Sequence, residues 1–511
     1  MAINGTSGDD EFRGTSFGDE IFGLGGNDFF MGSLGADHLD GGQGVHDVVS
    51  YVEFRFLNTT NFGGSVNVDL DRASQIGALA DGDVLVNIED VEGSREDDVI
   101  RGNNFANLLL GNGGNDVLEG RGGDDILSGD GGTSFIFGDS SGDDILDGGS
   151  GNDQLFGAGG NDMLIGGTGA NTIDGGTGID TASYAGTASG VLVSIAGTNG
   201  NGIAIALGLG LGSDTLFGIE NIIGSNFADQ IGGSAVGNVI NAGGGNDFIS
   251  GGAGADTLNG GSGLDTASYA GSTAGVDVDL GILTVFNFNS VQVVIQAVAG
   301  TGTGGDAQGD VLNLVENLIG SSFADTLIGN VVANRLDGGA GDDLLLGGNA
   351  NDTLRGGSEN DIVAGEDGED ELFGDAGTDV LIGGDDDDIL DGGTEDDQLF
   401  GDAGADVLFG QANNDRLDGG VGNDVLQGGA GNDIFVFKFG YGTDTITDFE
   451  SGPGVGDQID LSEFNFTSEI SVEAVCEQVG NDTVMHVSAV DTIVLQNFSF
   501  QGNFAFNDFL F

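Results

Sequence analysis

The chain has one cysteine, Cys476, one proline, Pro453, one lysine, Lys438, and no tryptophan among its 511 residues. A lone cysteine rules out an intrachain disulfide framework. The single proline separates the 104 glycines from collagen, which needs both proline and a three-residue period. Only three histidines occur, His38, His46 and His486, and they lie far apart, so the H-E-x-x-H helix of a zinc protease is absent. A serine-nucleophile elbow is not expected either. No apolar run is long enough to span a bilayer as a helix. The first residues, MAINGTSGDDEF, carry neither the basic nor the apolar region of a Sec signal peptide. Bases number 10 against 84 acids, a formal charge of −74. That balance argues against nucleic acid and anionic membranes as partners, and it opposes compaction until cations bind.

What is present is period. From Gly338 to Val436 eleven nonapeptides run without insertion or deletion, each close to G-G-x-x-x-D-x-L-x. The sixth column is Asp343, Asp352, Asp361, Asp370, Asp379, Asp388, Asp397, Asp406, Asp415, Asp424 and Asp433. The eighth is Leu345, Leu354, Val363, Leu372, Leu381, Leu390, Leu399, Leu408, Leu417, Leu426 and Phe435. An acid and an aliphatic residue locked two apart every nine residues predict a stacked solenoid. Six residues headed by glycine favour a turn, with positive φ accepted by Gly and tolerated by Asn or Asp at the fifth position, as in Asn351, Asn360, Asn414, Asn423 and Asn432. The remaining three predict a strand of roughly 10 Å with the eighth side chain inward. Two nonapeptides then make one coil, and each repeat stacks on the one eighteen residues later at about 4.8 Å.

Stacked this way, the acids form two columns. Carboxylates about 5 Å apart repel by roughly 3 kcal/mol at an effective dielectric of 20, so cations between the rungs are required. Carboxylates and turn carbonyls are hard oxygen donors that favour Ca²⁺ over Mg²⁺, because Ca²⁺ takes six to eight oxygens in adaptable geometry.

The same frame recurs elsewhere. Asp10, Asp19, Asp28 and Asp37 open the chain, and the next frame carries His46 where the acid belongs, a slipped repeat followed by Asp47. A longer unit then occurs three times. Its lead-ins are Gly41 to Tyr51, Gly175 to Tyr184 and Gly260 to Tyr269. Alternating strand-like segments follow at Ser65 to Leu70, Val191 to Ile195 and Val276 to Leu280, and the exits are Asn87 to Ser94, Gly218 to Ser225 and Leu314 to Ser321. After each exit the frames resume as Asp98, Asn107, Asp116; Asp229, Asn238, Asp247; and Asp325, Asn334, Asp343. An Asn gives up a charge, so those rungs are expected to bind calcium weakly or not at all. Asp125, Asp153, Asp162, Asp180, Asp256 and Asp265 complete the expected ligands, whereas Ser134 replaces an acid and Gly138 to Asp147 is one residue too long. Two apolar, glycine-rich runs, Gly202 to Gly212 and Thr284 to Gly300, read as strands and loops extending the face of the roll.

These nonapeptides resemble the RTX, or haemolysin-type, calcium-binding repeats, whose G-G-x-G-x-D-x-U-x units form a parallel β-roll with Ca²⁺ between turns. The resemblance implies that sixth-position Asp side chains and turn carbonyls ligate the ions. Segments Ile434 to Gly452 and Asp457 to Phe464 resemble the region that caps such rolls in serralysin-like secreted proteins. The ending Asp508, Phe509, Leu510 and Phe511 is similar to the uncleaved signal of type I secretion substrates, and a capping strand would look the same. The fold expected is all-β: repeat blocks at 1–49, 93–184, 218–269 and 320–436, β spacers at 50–92, 185–217 and 270–319, and a cap with secretion signal at 437–511. The partners this implies are calcium, the type I export machinery and a cell-surface polysaccharide. Catalysis is not expected, since chance carboxylate pairs abound in any Asp ladder; the alternative is a polysaccharide-modifying enzyme or adhesin with its site in the spacers.

Overall fold

The computed structural model describes residues 2–52, 64–130, 142–196, 201–206, 212–288, 291–298, 300–452, 456–466, 468–499, 504 and 508–511. Ser134 and part of the over-long frame at Gly138 to Asp147 lie outside these residues, as do parts of both apolar spacer runs. The chain divides into two compact units, Met1–Ile249 with Gly261–Gly263, and Ser250–Gly260 with Leu264–Phe511. Each is a parallel β-solenoid.

In the second unit the strand Leu344–Asn349 pairs in parallel with Ile362–Asp367, then Val380–Asp385 and Gln398–Ala403. The facing sheet runs through Arg335–Ala340, Thr353–Ser358, Glu371–Ala376, Ile389–Thr394, Val407–Ala412 and Val425–Ala430. Every pairing joins residue i to i+18, the register that the Asp and Leu columns require. The eighth-position side chains from Leu345 to Phe435 are fully buried, and they meet in a core only two side chains thick. Burying each is worth about 2 kcal/mol.

Two local expectations are corrected. These strands are six residues long, not three, because the glycine pair and the third residue continue the ladder, as in Gly348↔Glu366 and Asn349↔Asp367. Positive φ falls at the second and fourth positions, as at Gly339 (103°) and Gly341 (118°), and not at the fifth. The fifth-position side chains serve another purpose: they accept from the backbone of the next coil, as in Asn360 N–H to Asp342 Oδ1 at 3.0 Å and Thr378 N–H to Asn360 Oδ1 at 3.0 Å.

In the first unit one sheet begins at Glu11–Arg13, and the facing side opens with a separate four-stranded sheet that starts at Ala2–Asn4 and ends at Val84–Val86. The spacers keep the stack in register. His38–Asp40 pairs with Val84–Val86 across the first spacer, whose strand Asn67–Asp69 then pairs with Val99–Arg101. In the second spacer Val191–Ser194 pairs with Gln230–Ser234, and Asn201–Ala206 lies antiparallel to it. The third spacer, in the second unit, is built alike through Asp277–Asp279 and Thr326–Ile328. Its apolar run departs from expectation: Ile282–Phe288 and Val291–Val298 form a separate two-stranded antiparallel sheet instead of widening the roll.

The C-terminal region closes the open end of the core. Thr443–Ile446 and Gln458–Asp460 continue the two sheets, and the final strand Phe509–Leu510 pairs with Gln458–Asp460. Rings of Phe435, Phe449, Phe498, Phe504 and Phe509 meet in sequence in tilted and edge-to-face contacts at centroid distances of 4.9–6.4 Å, capping the aliphatic columns. The chain's single lysine ties this cap to the roll: Lys438 Nζ lies 2.7 Å from Asp418 Oδ2 and over the ring of Tyr441.

Candidate metal ladder

The sixth-position carboxylates of the regular run are almost completely buried, 0–3 % exposed. Their inward placement follows from the turn, which points residue six toward the coil above. In each, Oδ1 accepts the backbone N–H of the sixth-position residue eighteen earlier, an Asp in every case but Asn334, which donates to Asp352. The distances are 2.8 Å for Asp361 from Asp343, 2.8 Å for Asp388 from Asp370 and 2.9 Å for Asp415 from Asp397. The fifth-position bonds run in the opposite direction, so most turns of the run are laced to their neighbour both ways, though not at Ala405, whose side chain has no acceptor.

The second oxygen is different. Oδ2 of Asp343, Asp352, Asp361, Asp370, Asp379, Asp388, Asp397, Asp406, Asp415, Asp424 and Asp433 is buried and receives no hydrogen bond from the protein. It faces the first-position glycine of its own frame, where even a Cβ would stand 2.2–2.5 Å away, beside the carbonyl of the glycine one coil on. A bare carboxylate oxygen out of water must be neutralised by a proton or a cation. Burial pushes these carboxyls up, the N–H from the preceding rung offsets part of that, and neighbouring carboxylates add to it. Asp388 and Asp397 reach about 8, and Asp343, Asp352, Asp361, Asp406 and Asp415 about 7. Among the described residues no three acidic, His or Cys side chains converge on one point. The oxygens on offer at each turn are one bare carboxylate oxygen and a turn carbonyl, hard donors that would suit calcium.

Elsewhere the expected ligands divide. Asp28, Asp116, Asp125, Asp153, Asp162 and Asp180 repeat the bare-Oδ2 arrangement. Asp247 accepts from Asp229 N–H, while Asp256 and Asp265 donate their N–H groups onward to acids of the third spacer. In Asp10, Asp19, Asp37, Asp98, Asp229 and Asp325, by contrast, the second oxygen is taken by a Thr or Ser four residues earlier. Ser225 N–H lies 2.6 Å from Asp229 Oδ2, and Thr15 Oγ1 lies 2.8 Å from Asp19 Oδ2.

Several rungs escaped the sequence reading. Asp47, not His46, continues the column, accepting Asp28 N–H at 2.7 Å; His46 is exposed and 3.1 Å from Asp90. Asp144 accepts Asp116 N–H in the irregular frame. In each spacer an Asp and a Glu fill the place of the missing repeats. Asp83, Asp214 and Asp310 accept from Asp37, Asn171 and Asp256, and Glu89, Glu220 and Glu316 accept from Asp47, Asp180 and Asp265. Asp444 and Asp457 do the same in the cap. Repeated GDVL or SDTL segments, together with the glutamate of each exit, are the signal for these residues. The pattern G-x-S-x-G does occur, at Gly14–Gly18 and Gly138–Gly142. The first is a repeat turn between strands Glu11–Arg13 and Glu20–Phe22, not a strand-to-helix elbow; most of the second lies outside the described residues.

The ladder implies a graded response to mutation. Asp388→Ala removes the acceptor of Asp370 N–H and a bare oxygen in mid-run, whereas Asp10 is a partly exposed terminal rung. Asp388→Ala should therefore raise the calcium midpoint of folding several-fold, and stranding one buried N–H should cost about 1–3 kcal/mol. Asp10→Ala should leave the midpoint nearly unchanged. Equal shifts in calorimetry would contradict the stacked geometry.

The architecture is that of a repeat solenoid whose turns present buried Asp columns. The sequence profile of the RTX calcium-binding nonapeptide repeat matches residues 4–39, 101–136, 139–164, 148–182, 232–267, 319–354, 346–381, 382–417 and 409–444, more than half of the chain. The chain belongs to that family, and its repeats are calcium-binding motifs. Among solved structures it is similar to the extracellular lipase LipA from Serratia marcescens, at 14 % identity and a TM-score of 0.16, over 85 % of this chain and 46 % of that one. The chain thus spans about half the length of that lipase. No curated protein sequence matches it.

Proposed function

We propose that this is an extracellular protein of structural or binding role, exported by a type I system and folded by calcium outside the cell. The observation that carries the reading is the column of buried carboxylates whose second oxygen has no protein donor. In the cytosol free calcium lies far below the affinity of extracellular sites, about 10⁻⁴ to 10⁻³ M, so the columns repel and the chain stays open enough to be threaded out. Outside, each filled rung opposes backsliding. The spacers support a non-catalytic reading, because their buried acids complete the ladder.

Export is tested by deleting Gln501 to Phe511. Phe509 and Leu510 also form the capping strand, with Asp508 Oδ2 accepting from Ser451 Oγ at 2.7 Å, so the purified variant is checked for calcium-dependent β-structure in parallel. The expected result is a variant that still folds in calcium but accumulates inside the producing cell. Undiminished appearance in the medium would remove the export signal from the tail.

A further inference from the structure

The rungs fall into two chemical kinds, and one residue separates them. Where the second position of the frame is left-handed, the Asp keeps a bare Oδ2, as with Gly339 and Asp343, Gly357 and Asp361, or Gly384 and Asp388. A glycine is not required for this. Leu24, Arg121 and Ala158 hold φ of 75–76° in front of Asp28, Asp125 and Asp162, whose Oδ2 atoms are equally bare. Where the second position is Thr6, Thr15, Ser33, Ser94, Ser225 or Ser321, φ is not positive. The residue then turns toward its own Asp. Ser94 donates its N–H to Asp98 Oδ2 at 2.5 Å and its hydroxyl to Oδ1 at 2.9 Å, and Val66 N–H adds a third donor at 2.7 Å. Ser321 treats Asp325 alike, at 2.5 and 2.8 Å, with Val276 N–H at 2.6 Å.

From this contrast we infer that a hydroxyl residue at the second position closes its rung to calcium. The second oxygen is already satisfied by protein donors, and an ion could enter only by displacing them, which at Ser94, Ser225 and Ser321 would strand a buried N–H. A side chain alone does not close the rung, as Leu24, Arg121 and Ala158 demonstrate. Three of the six closed rungs, at Asp98, Asp229 and Asp325, directly follow the three spacers. Their spacer strands are bonded to them through Val66, Val191 and Val276, so the spacers are clasped to the roll without metal. Two spacers carry a second clasp of the same sort: Tyr51 Oη to Asp83 Oδ2 at 3.1 Å and Tyr269 Oη to Asp310 Oδ2 at 3.0 Å.

The inference rests on the calcium reading above, and the test separates the two. Calcium bound per full-length chain is counted by equilibrium dialysis for four proteins: the wild type, an opened triple variant (Ser94→Gly, Ser225→Gly, Ser321→Gly), a closed triple variant at second positions that already carry a side chain (Leu24→Ser, Ala158→Ser, Gln411→Ser) and its control (Leu24→Ala, Gln411→Ala, with Ala158 kept). The opened variant should bind more calcium than the wild type. The closed one should bind less, and the alanine control should match the wild type. Unchanged counts in the opened variant, or equal losses with serine and alanine, would overturn the inference while leaving calcium binding intact. A wild type that binds no calcium would overturn both. If the serine variant shows no β-structure in calcium, the opened variant decides alone.

Discussion

In excess chelator at pH 7.5 the chain should be largely disordered, and millimolar calcium should convert it to β-structure. The core explains why. Each coil of the regular run buries two eighth-position side chains in a layer two residues thick, while it also buries two carboxylates whose second oxygens have no donor. Without a counter-ion those carboxylates oppose the packing that encloses them. At ten times Kd each calcium site contributes about 1.4 kcal/mol, and at a thousandth of Kd essentially nothing. Summed along the ladder, that difference decides between two states. Far-ultraviolet circular dichroism with a calcium titration measures it, and strong β-signal in EDTA would refute the dependence.

Acid should partly replace calcium. An unfolded aspartate titrates near 3.8, but in the roll Asp388 and Asp397 are pushed up to about 8 and five other rungs to about 7. Between pH 8 and 4 the folded ladder therefore binds more protons than the unfolded chain, and folding is favoured as pH falls. In chelator, β-structure should rise on acidification from pH 8 to 5, the reverse of ordinary acid denaturation. Over the same window the calcium midpoint should move to higher concentration, because each ion competes with protons for the same oxygens. Loss of β-structure on acidification in EDTA would show that the carboxylates are not held as described.

The regular ladder was legible because two columns share one period, and a period of nine with an inward residue at eight admits few arrangements other than a coil of eighteen. The spacers were legible as strands for the same reason, since Val66 and Val68 alternate with polar residues. What escaped was whatever breaks the period. Asp37 to Asp83 and Asn171 to Asp214 are separations of 46 and 43 residues, so counting in nines passes over both acceptors, while Asp310, 54 residues after Asp256, keeps the count but follows frames without an acid at Ala274, Leu283, Gln292 and Thr301. A glutamate standing in for aspartate at Glu89, Glu220 and Glu316 hides the column further. The two states of the second position were also invisible, because a Ser in the frame reads as an ordinary turn residue until its N–H is seen on Asp98.

The two-way lacing of the turns has a mechanical consequence. Load applied to an end of the regular run is carried by the outermost coil, through a sixth-position bond at each turn, a fifth-position bond at most of them, and the strand ladder between. Identical coils yield one after another, and each release adds eighteen residues, about 60 Å of extended chain. The roll would pay out as a sequence of equal steps at a near-constant force, a tether that lengthens without losing its remaining grip.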